Sequence, residues 1–314
     1  MPAFSASAPG KIILFGEHAV VYHRPAIAVP VAQVSAKAIV SADLRGAAGS
    51  VKIQAPGIGL EAQLSDLPSS HPLAATILNT ASALGVNRIP ACTIKITSTI
   101  PVAAGLGSGA AVSVAILRAL SAYLGHPLSD EQVCQLAYEV EKIHHGTPSG
   151  IDNTVVTYAR PVYFVKDKPI EQLRPRQAFK LVIGDTGIQS PTATTVGDVR
   201  KAWQQHKEEY EALFDSTGAI VDSARTAIET GMTELLGPLM DANHGLLRKM
   251  GVSSPELEML VQAARGAGAL GAKLSGGGRG GNMIALVTAI NAEKVAAALE
   301  KAGAVHTIIT QVRG

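Results

Sequence analysis

Residues 101–115, PVAAGLGSGAAVSVA, set a glycine-rich loop directly ahead of an apolar, helix-forming stretch. Gly105, Gly107 and Gly109 carry no Cβ, so the backbone there can bend through positive φ and an anion can come close. Ser108 adds a hydroxyl at the same bend. Nothing between Ala110 and Leu120 breaks a helix, which predicts that the loop ends on a helix N-terminus. Unpaired N–H groups and the positive end of the helix dipole favour phosphate at such an end. Upstream, CTIKITSTI (92–100) alternates apolar and polar residues and stops at Pro101, as a strand does. Strand, glycine loop and helix in that order make a phosphate cradle; a tight structural turn is the alternative.

Neither common nucleotide template fits this loop. A Walker loop needs Gly-Lys-Ser/Thr at its end, and no lysine follows. The dinucleotide fingerprint accepts Ala110 in place of its third glycine, and Asp130 stands about twenty positions on. That leaves a nicotinamide-dependent oxidoreductase as an outside reading.

The 314 residues suffice for two domains or one large one. Apolar residues make up 47% and aromatics only 4%, so the core must be built from Ala, Val, Ile and Leu. The formal charge of +2, with both signs interspersed and no basic-aromatic patch, argues against nucleic acid as a partner. Cys92 and Cys134 fall within a predicted strand and a predicted helix and read as reduced core residues, which suits a cytoplasmic protein. Lys11, Glu17 and His18 interrupt the N-terminal apolar stretch too early for a signal peptide, and no run of about eighteen apolar residues provides a membrane span.

Along the chain, residues 4–42 read as β structure and 50–71 as short strands and turns. His71-Pro72 opens a helix through Leu84, and Ser129-Asp130 caps another from about Glu131 to His145. TVVTYA (154–159) reads as a strand, residues 160–180 as a hinge, and LVIGDTG (181–187) as a strand and turn. Helices are predicted over about 192–214, 218–230, 232–250 and 254–267. AKLSGGGRGGNMIALV (272–287) is strand, glycine loop, strand; a helix over 291–301 and a final strand, VHTIITQV, follow.

Several polar residues sit where plain solvation is hard to arrange. Glu17-His18 lies between Phe15-Gly16 and Ala19-Val20-Val21, and buried charge is costly unless paired. Glu141 falls near a helix C-terminus, where the dipole disfavours a carboxylate and calls for a cation or solvent. Asp152 follows a segment that Pro148 and two glycines keep from being helical. The second glycine loop, Gly276–Gly281, is costly to order and lies between apolar strands, which points to close approach of its backbone to another group.

Three of these stretches, APGKIILFGEHAVVYHRPA, PVAAGLGSGAAVSVA and KLSGGGRGGNMIALV, resemble in order and spacing the three signature motifs of the GHMP small-molecule kinases. HGTPSGIDN and GEHAVVY resemble the form these take in the mevalonate-phosphorylating branch. The resemblance spans essentially the whole chain. It implies an α+β fold with an N-terminal domain like the second domain of ribosomal protein S5 (residues 1–172) and a C-terminal ferredoxin-like domain with extra helices (173–314), the active site lying in the cleft between them.

The resemblance also assigns roles. Asp152 matches the catalytic base that takes the proton of the acceptor hydroxyl, and Lys11 the lysine that assists it. Pro101, Val102, Ala103, Ala104, Gly105, Leu106, Gly107, Ser108, Gly109, Ala110 and Ala111 match the loop around the ATP phosphates. Glu141, with Ser108, matches the Mg2+ position, and Glu17, His18, Ser149 and Thr192 the acceptor side. ATP is then co-substrate, Mg2+ the cofactor and mevalonate the acceptor, with a homodimer left open. Alternatives are a kinase for another small alcohol or a phosphomevalonate-type acceptor, for which His23-Arg24 would offer extra cations, and a non-catalytic ligand-binding member. One departure stands out: Gly109 occupies the place of a serine expected to bind the metal.

Overall fold

The computed structural model describes residues 3–101, 105–145 and 149–313. The chain divides into two compact units, one of residues 1–10, 34–102 and 107–159, the other of residues 11–33, 103–106 and 160–314. Strands β1 (Ala3–Phe15) and β2 (Ala26–Ala42) run through both groupings. The burial of β2 follows this division. Its start, AIAV, is buried on both faces, whereas its second half alternates buried and more open residues as a one-sided strand does.

In the first unit the second half of β2 pairs antiparallel with β5 (Cys92–Ser98), Ala36 opposite Ser98 and Ala42 opposite Cys92. Strand β3 (Val51–Ala55) lies parallel to β5, and β4 (Leu60–Gln63) antiparallel to β3. Helices α1 (Pro72–Ala83), α2 (Ser108–Tyr123), α3 (Asp130–His145) and α4 (Ile151–Tyr158) complete the unit. Ile53, Ile94, Ile77, Ile116 and Leu120 share one core, and on α3 Val133, Ala137 and Val140 are fully buried at helical spacing. Cys92 and Cys134 are both free thiols.

Helix α4 corrects the sequence reading, which took TVVTYA as a strand. Its β-branched residues suit a strand by propensity. In the fold Thr154, Val155, Val156 and Thr157 are buried, and the Thr154 hydroxyl donates to the Gly150 carbonyl at 2.7 Å, one turn back. Packing on α2 and α3 therefore overrides propensity.

In the second unit β6 (Val162–Phe164) pairs antiparallel with the start of β2, and β7 (Glu171–Gln172) with β6. Strand β8 (Phe179–Asp185) leads to α5 (Thr192–Gln205), α6 (Lys207–Thr230), α7 (Leu236–Lys249) and α8 (Pro255–Gly266). Then come β9 (Gly271–Ser275), β10 (Asn282–Val287), α9 (Ala292–Lys301) and β11 (His306–Val312). Strands β8 to β11 form an antiparallel sheet in the order β11-β8-β10-β9, as a ferredoxin-like domain requires. Every residue of β9 and β10 is buried, and α7, α8 and α9 pack on this sheet.

The helix break expected near residues 215–217 lies instead at His206 (φ −129°, ψ 53°). The Ser216 and Thr217 hydroxyls donate to the carbonyls of Ala212 and Leu213, at 2.8 and 2.9 Å, so these polar residues sit inside α6 without disturbing it.

Candidate active site

The first unit holds the start of α2, at which the phosphate cradle is expected, together with Glu141 and Asp152. Helix α2 begins at Ser108, immediately after Gly107 in the left-handed region (φ 73°), with no acidic residue in its first turn. The first N–H groups of the helix have no partner within it, and none of its own first-turn residues is acidic. Val102, Ala103 and Ala104, also expected at the ATP phosphates, lie outside the described residues. Gly109 belongs to the helix, and a Cβ built on it would lie 3.3 Å from Glu141 Oε1. The Glu141 side chain, buried on α3, therefore approaches the first turn of α2 where the expected serine is missing.

Asp152 stands in the first turn of α4, behind Gly150 in the left-handed region (φ 87°). Ser149 shapes that entry, its hydroxyl accepting from Ile151 N at 3.3 Å. A helix N-terminus is a favourable place for an anionic carboxylate. Arg118 ties the three helices together, donating from α2 to Asp130 on α3 and to the Thr157 carbonyl on α4, both at 2.6 Å.

The second unit holds Lys11 and three of the four residues expected on the acceptor side, Glu17, His18 and Thr192. Lys11 is buried on β1, and its backbone N–H donates to the Leu106 carbonyl at 2.9 Å, which seats the first motif against the glycine loop. At Gly16 (φ 97°) a Cβ would fall 2.5 Å from the Pro25 carbonyl oxygen, so only glycine allows the chain to turn there. The turn brings Glu17 and His18 inside.

Glu17 forms an ion pair with Lys273 on β9, both almost completely buried, and Lys273 also donates to the Leu274 carbonyl at 2.7 Å. Burial pushes the Lys273 ammonium below the ordinary lysine range, and the Glu17 charge opposes that shift. Sequence reasoning missed Lys273. A lysine inside an otherwise apolar strand was the available signal, because a buried charge demands a partner.

His18 has φ 61°, and its Nε2 lies 3.0 Å from the Gly277 carbonyl oxygen. A carbonyl only accepts, so Nε2 carries the proton. Burial, the largest effect, lowers the His18 pKa to about 4, and the ring is neutral at physiological pH. Its Nδ1 is then an acceptor. Among the described residues it has no hydrogen-bond partner, nor has Glu17 Oε2.

The second glycine loop reaches this group from β9. Ser275 Oγ donates to the Ile13 carbonyl at 2.7 Å. Cβ atoms placed on Gly278 and Gly280 would lie 2.0 Å from the Val252 carbonyl oxygen and 2.5 Å from that of Ile188. The close approach expected of this loop is to the protein's own backbone. Thr192, the first residue of α5, is exposed, and its Oγ1 lies 3.1 Å from a Cβ built on Gly277. Arg24 is half-buried and donates to Glu211 at 2.5 Å and to Asp215 at 2.7 Å on α6, while His23 lies 3.5 Å from Asp167.

The GHMP kinases N-terminal domain model matches residues 73–160 and the GHMP kinases C-terminal model residues 224–305. The chain belongs to the GHMP kinase family. Within it, the chain is 41% identical to a mevalonate kinase of Thermococcus onnurineus over 95% of this chain and 93% of that protein. The crystal structure of L. major mevalonate kinase in complex with R-mevalonate superposes with a TM-score of 0.84 at 32% identity, covering 98% of this chain and 95% of that one. The Methanococcus jannaschii mevalonate kinase gives a TM-score of 0.85 over 99% and 98% of the two chains; at 24% identity it supports the fold alone.

Proposed function

We propose that this chain is a mevalonate kinase, transferring the γ-phosphoryl group of ATP to the primary hydroxyl of mevalonate. Phosphoryl transfer needs positioning and charge neutralisation more than covalent chemistry, and the chain carries groups for both. The N-terminus of α2 binds the ATP phosphates through backbone N–H groups. Asp152 takes the proton of the attacking hydroxyl, and Lys11 assists it. His18, neutral and with its Nε2–H committed to Gly277, offers Nδ1 as an acceptor for a substrate hydroxyl, which fits a polyhydroxy acceptor.

A divalent ion fits the residues present. The buried Glu141 carboxylate and the Ser108 hydroxyl are hard oxygen donors of the kind Mg2+ takes. No cluster of three or more His, Cys, Asp or Glu is arranged for a metal among the described residues, so the remaining ligands would be phosphate oxygens and water. When bound, the ion neutralises phosphate charge.

The observation that carries an unphosphorylated acceptor is the pairing of Arg24. Its guanidinium is matched by two carboxylates on α6, and His23 faces Asp167, so neither is left to bind a second phosphate. An ADP-release assay with mevalonate, 5-phosphomevalonate, galactose and homoserine tests the reading. The expected kcat/KM is at least ~10²-fold higher for mevalonate than for the others, the discrimination a hydrogen-bonding site supplies. Comparable turnover of 5-phosphomevalonate would overturn it.

A further inference from the structure

One cation of the second glycine loop remains without a role. Arg279 holds a left-handed backbone (φ 58°) between glycines that adopt such conformations freely. A side chain kept in that region is retained only where its surroundings over-determine it. Here they do: Arg279 N–H donates to the Val252 carbonyl at 2.8 Å, Nε to the Gly251 carbonyl at 3.4 Å, and Nη1 to Asp198 Oδ2 at 2.6 Å.

Asp198 lies on α5, six residues after Thr192 and about 9 Å further along the helix axis. The same loop touches Thr192 through Gly277, and the Gly277 carbonyl accepts from His18. Its far end is also fixed, Gly281 N–H donating to the Ile188 carbonyl and the Gly281 carbonyl accepting from Thr186 N–H, both at 2.9 Å. Two contacts spaced along α5 set its tilt as well as its distance from the loop.

We propose that Arg279 is a positioning residue for phosphoryl transfer, clamping the second glycine loop to α5 so that the Thr192 hydroxyl and His18 are held on either side of Gly277 at the acceptor. This rests on the reading that Thr192 and His18 serve the acceptor. The ion pair is partly exposed on both sides (40% and 37%) and contributes little to stability. Asp198 also lies 3.5 Å from Lys201, so loss of Arg279 strands no buried charge. Arg279→Gly, which keeps the left-handed backbone without strain, should therefore leave the melting temperature unchanged while separating loop from helix.

The test compares steady-state kinetics and thermal melting of Arg279→Gly, Asp198→Ala, the double variant and Thr192→Ala. Arg279→Gly should raise KM for mevalonate about five- to tenfold, the range of a lost charge-assisted hydrogen bond in a partly exposed setting, with KM for ATP unchanged. Asp198→Ala should reproduce this, and supplies the reading if Arg279→Gly melts early. The double variant should be no worse than either single one, because both remove the same contact. Wild-type mevalonate KM in both single variants, or additive losses in the double variant, would overturn the clamp. Wild-type mevalonate KM in Thr192→Ala would overturn the acceptor-site reading itself, and the clamp with it.

Discussion

The two glycine loops use the same residue for opposite ends. In the first, a Cβ on Gly105 (φ 72°) would meet nothing closer than Asn282 Nδ2 at 3.8 Å among the described residues, and the loop leads into the N-terminus of α2. In the second, Gly278 and Gly280 are pressed against the carbonyls of Val252 and Ile188. Glycine in the first loop leaves room beside Gly105, and in the second it admits the protein's own backbone. A glycine-rich stretch is thus no evidence of a phosphate site until what approaches it is known.

The contrast is broken most directly by alanine. In Gly278→Ala the new Cβ overlaps the Val252 oxygen and the residue keeps φ 80°, so neither the backbone nor its neighbour can yield cheaply. The expected loss is ~4 kcal/mol or more, the range reserved for overpacking and backbone strain together. Gly105→Ala carries only the left-handed strain, about 1–2 kcal/mol, and should fold and raise KM for ATP. Urea unfolding of both variants measures the difference; equal destabilisation would remove the distinction drawn between the loops.

Acid sharpens it next. His18 supports the second loop through Gly277, and burial holds its pKa at about 4 against an ordinary 6.5. Between those values the unfolded chain binds a proton that the folded chain refuses, so stability is complete above about pH 6.5 and is lost as the pH falls toward 4. The whole shift is worth roughly 3 kcal/mol. His244, also held at about 4 chiefly by burial and facing Glu258 at 3.1 Å, adds a second loss over the same interval. Unfolding free energies from pH 7 to 4.5 should fall less steeply in His18→Asn, whose asparagine tolerates the left-handed φ. An unchanged slope would mean that His18 is not titrating there.

A comparable effect, confined to catalysis, is expected at Asp152 in the first unit and at Lys11 in the second. Asp152→Asn should leave unfolding and ATP binding intact and lower kcat by at least ~10²-fold, the usual size of a lost acid–base contribution. Lys11→Met should act on kcat more than on KM for ATP, as expected of a group that assists the base in the transition state. Turnover of Asp152→Asn within a few-fold of wild type removes Asp152 from the mechanism.

How much of this could be read beforehand depended on whether a residue's partner was near in sequence. Gly107, Ser108 and the apolar run after them announce a loop and a helix start locally, and α2 begins at Ser108. The α4 helix was not legible, because Thr154–Thr157 are strand formers whose helical state is set by packing on α2 and α3. Nor was the break at His206, where no proline or glycine marks the end of α5. Glu17 was legible as a charge in need of a partner, but Lys273 lies 256 residues away. For Gly109 the sequence could only register a missing hydroxyl, whereas the fold shows what stands opposite.

That residue gives the smallest expected effect. Gly109 lies within α2 and does not have a positive φ, so a side chain there meets no left-handed strain. Its Cβ would stand 3.3 Å from Glu141 Oε1, a tight contact that the carboxylate must relieve by a few tenths of an ångström. Serine also brings a hydroxyl able to donate to that oxygen, and in a helix it is favoured over glycine by a few tenths of a kcal/mol. These opposing terms should leave Gly109→Ser within ~1 kcal/mol of wild type. If Glu141 and Ser108 hold Mg2+ largely with water, an added hydroxyl either replaces one water or leaves the ion alone. The Mg2+ concentration giving half the ADP-dependent rise in melting temperature should then fall or stay the same, and that titration reads binding without turnover. Glu141→Gln should raise it sharply. A stably folded Gly109→Ser protein that needs more Mg2+ than wild type would show that the space beside Glu141 must remain open, and would overturn the reading that a missing hydroxyl is made good by water.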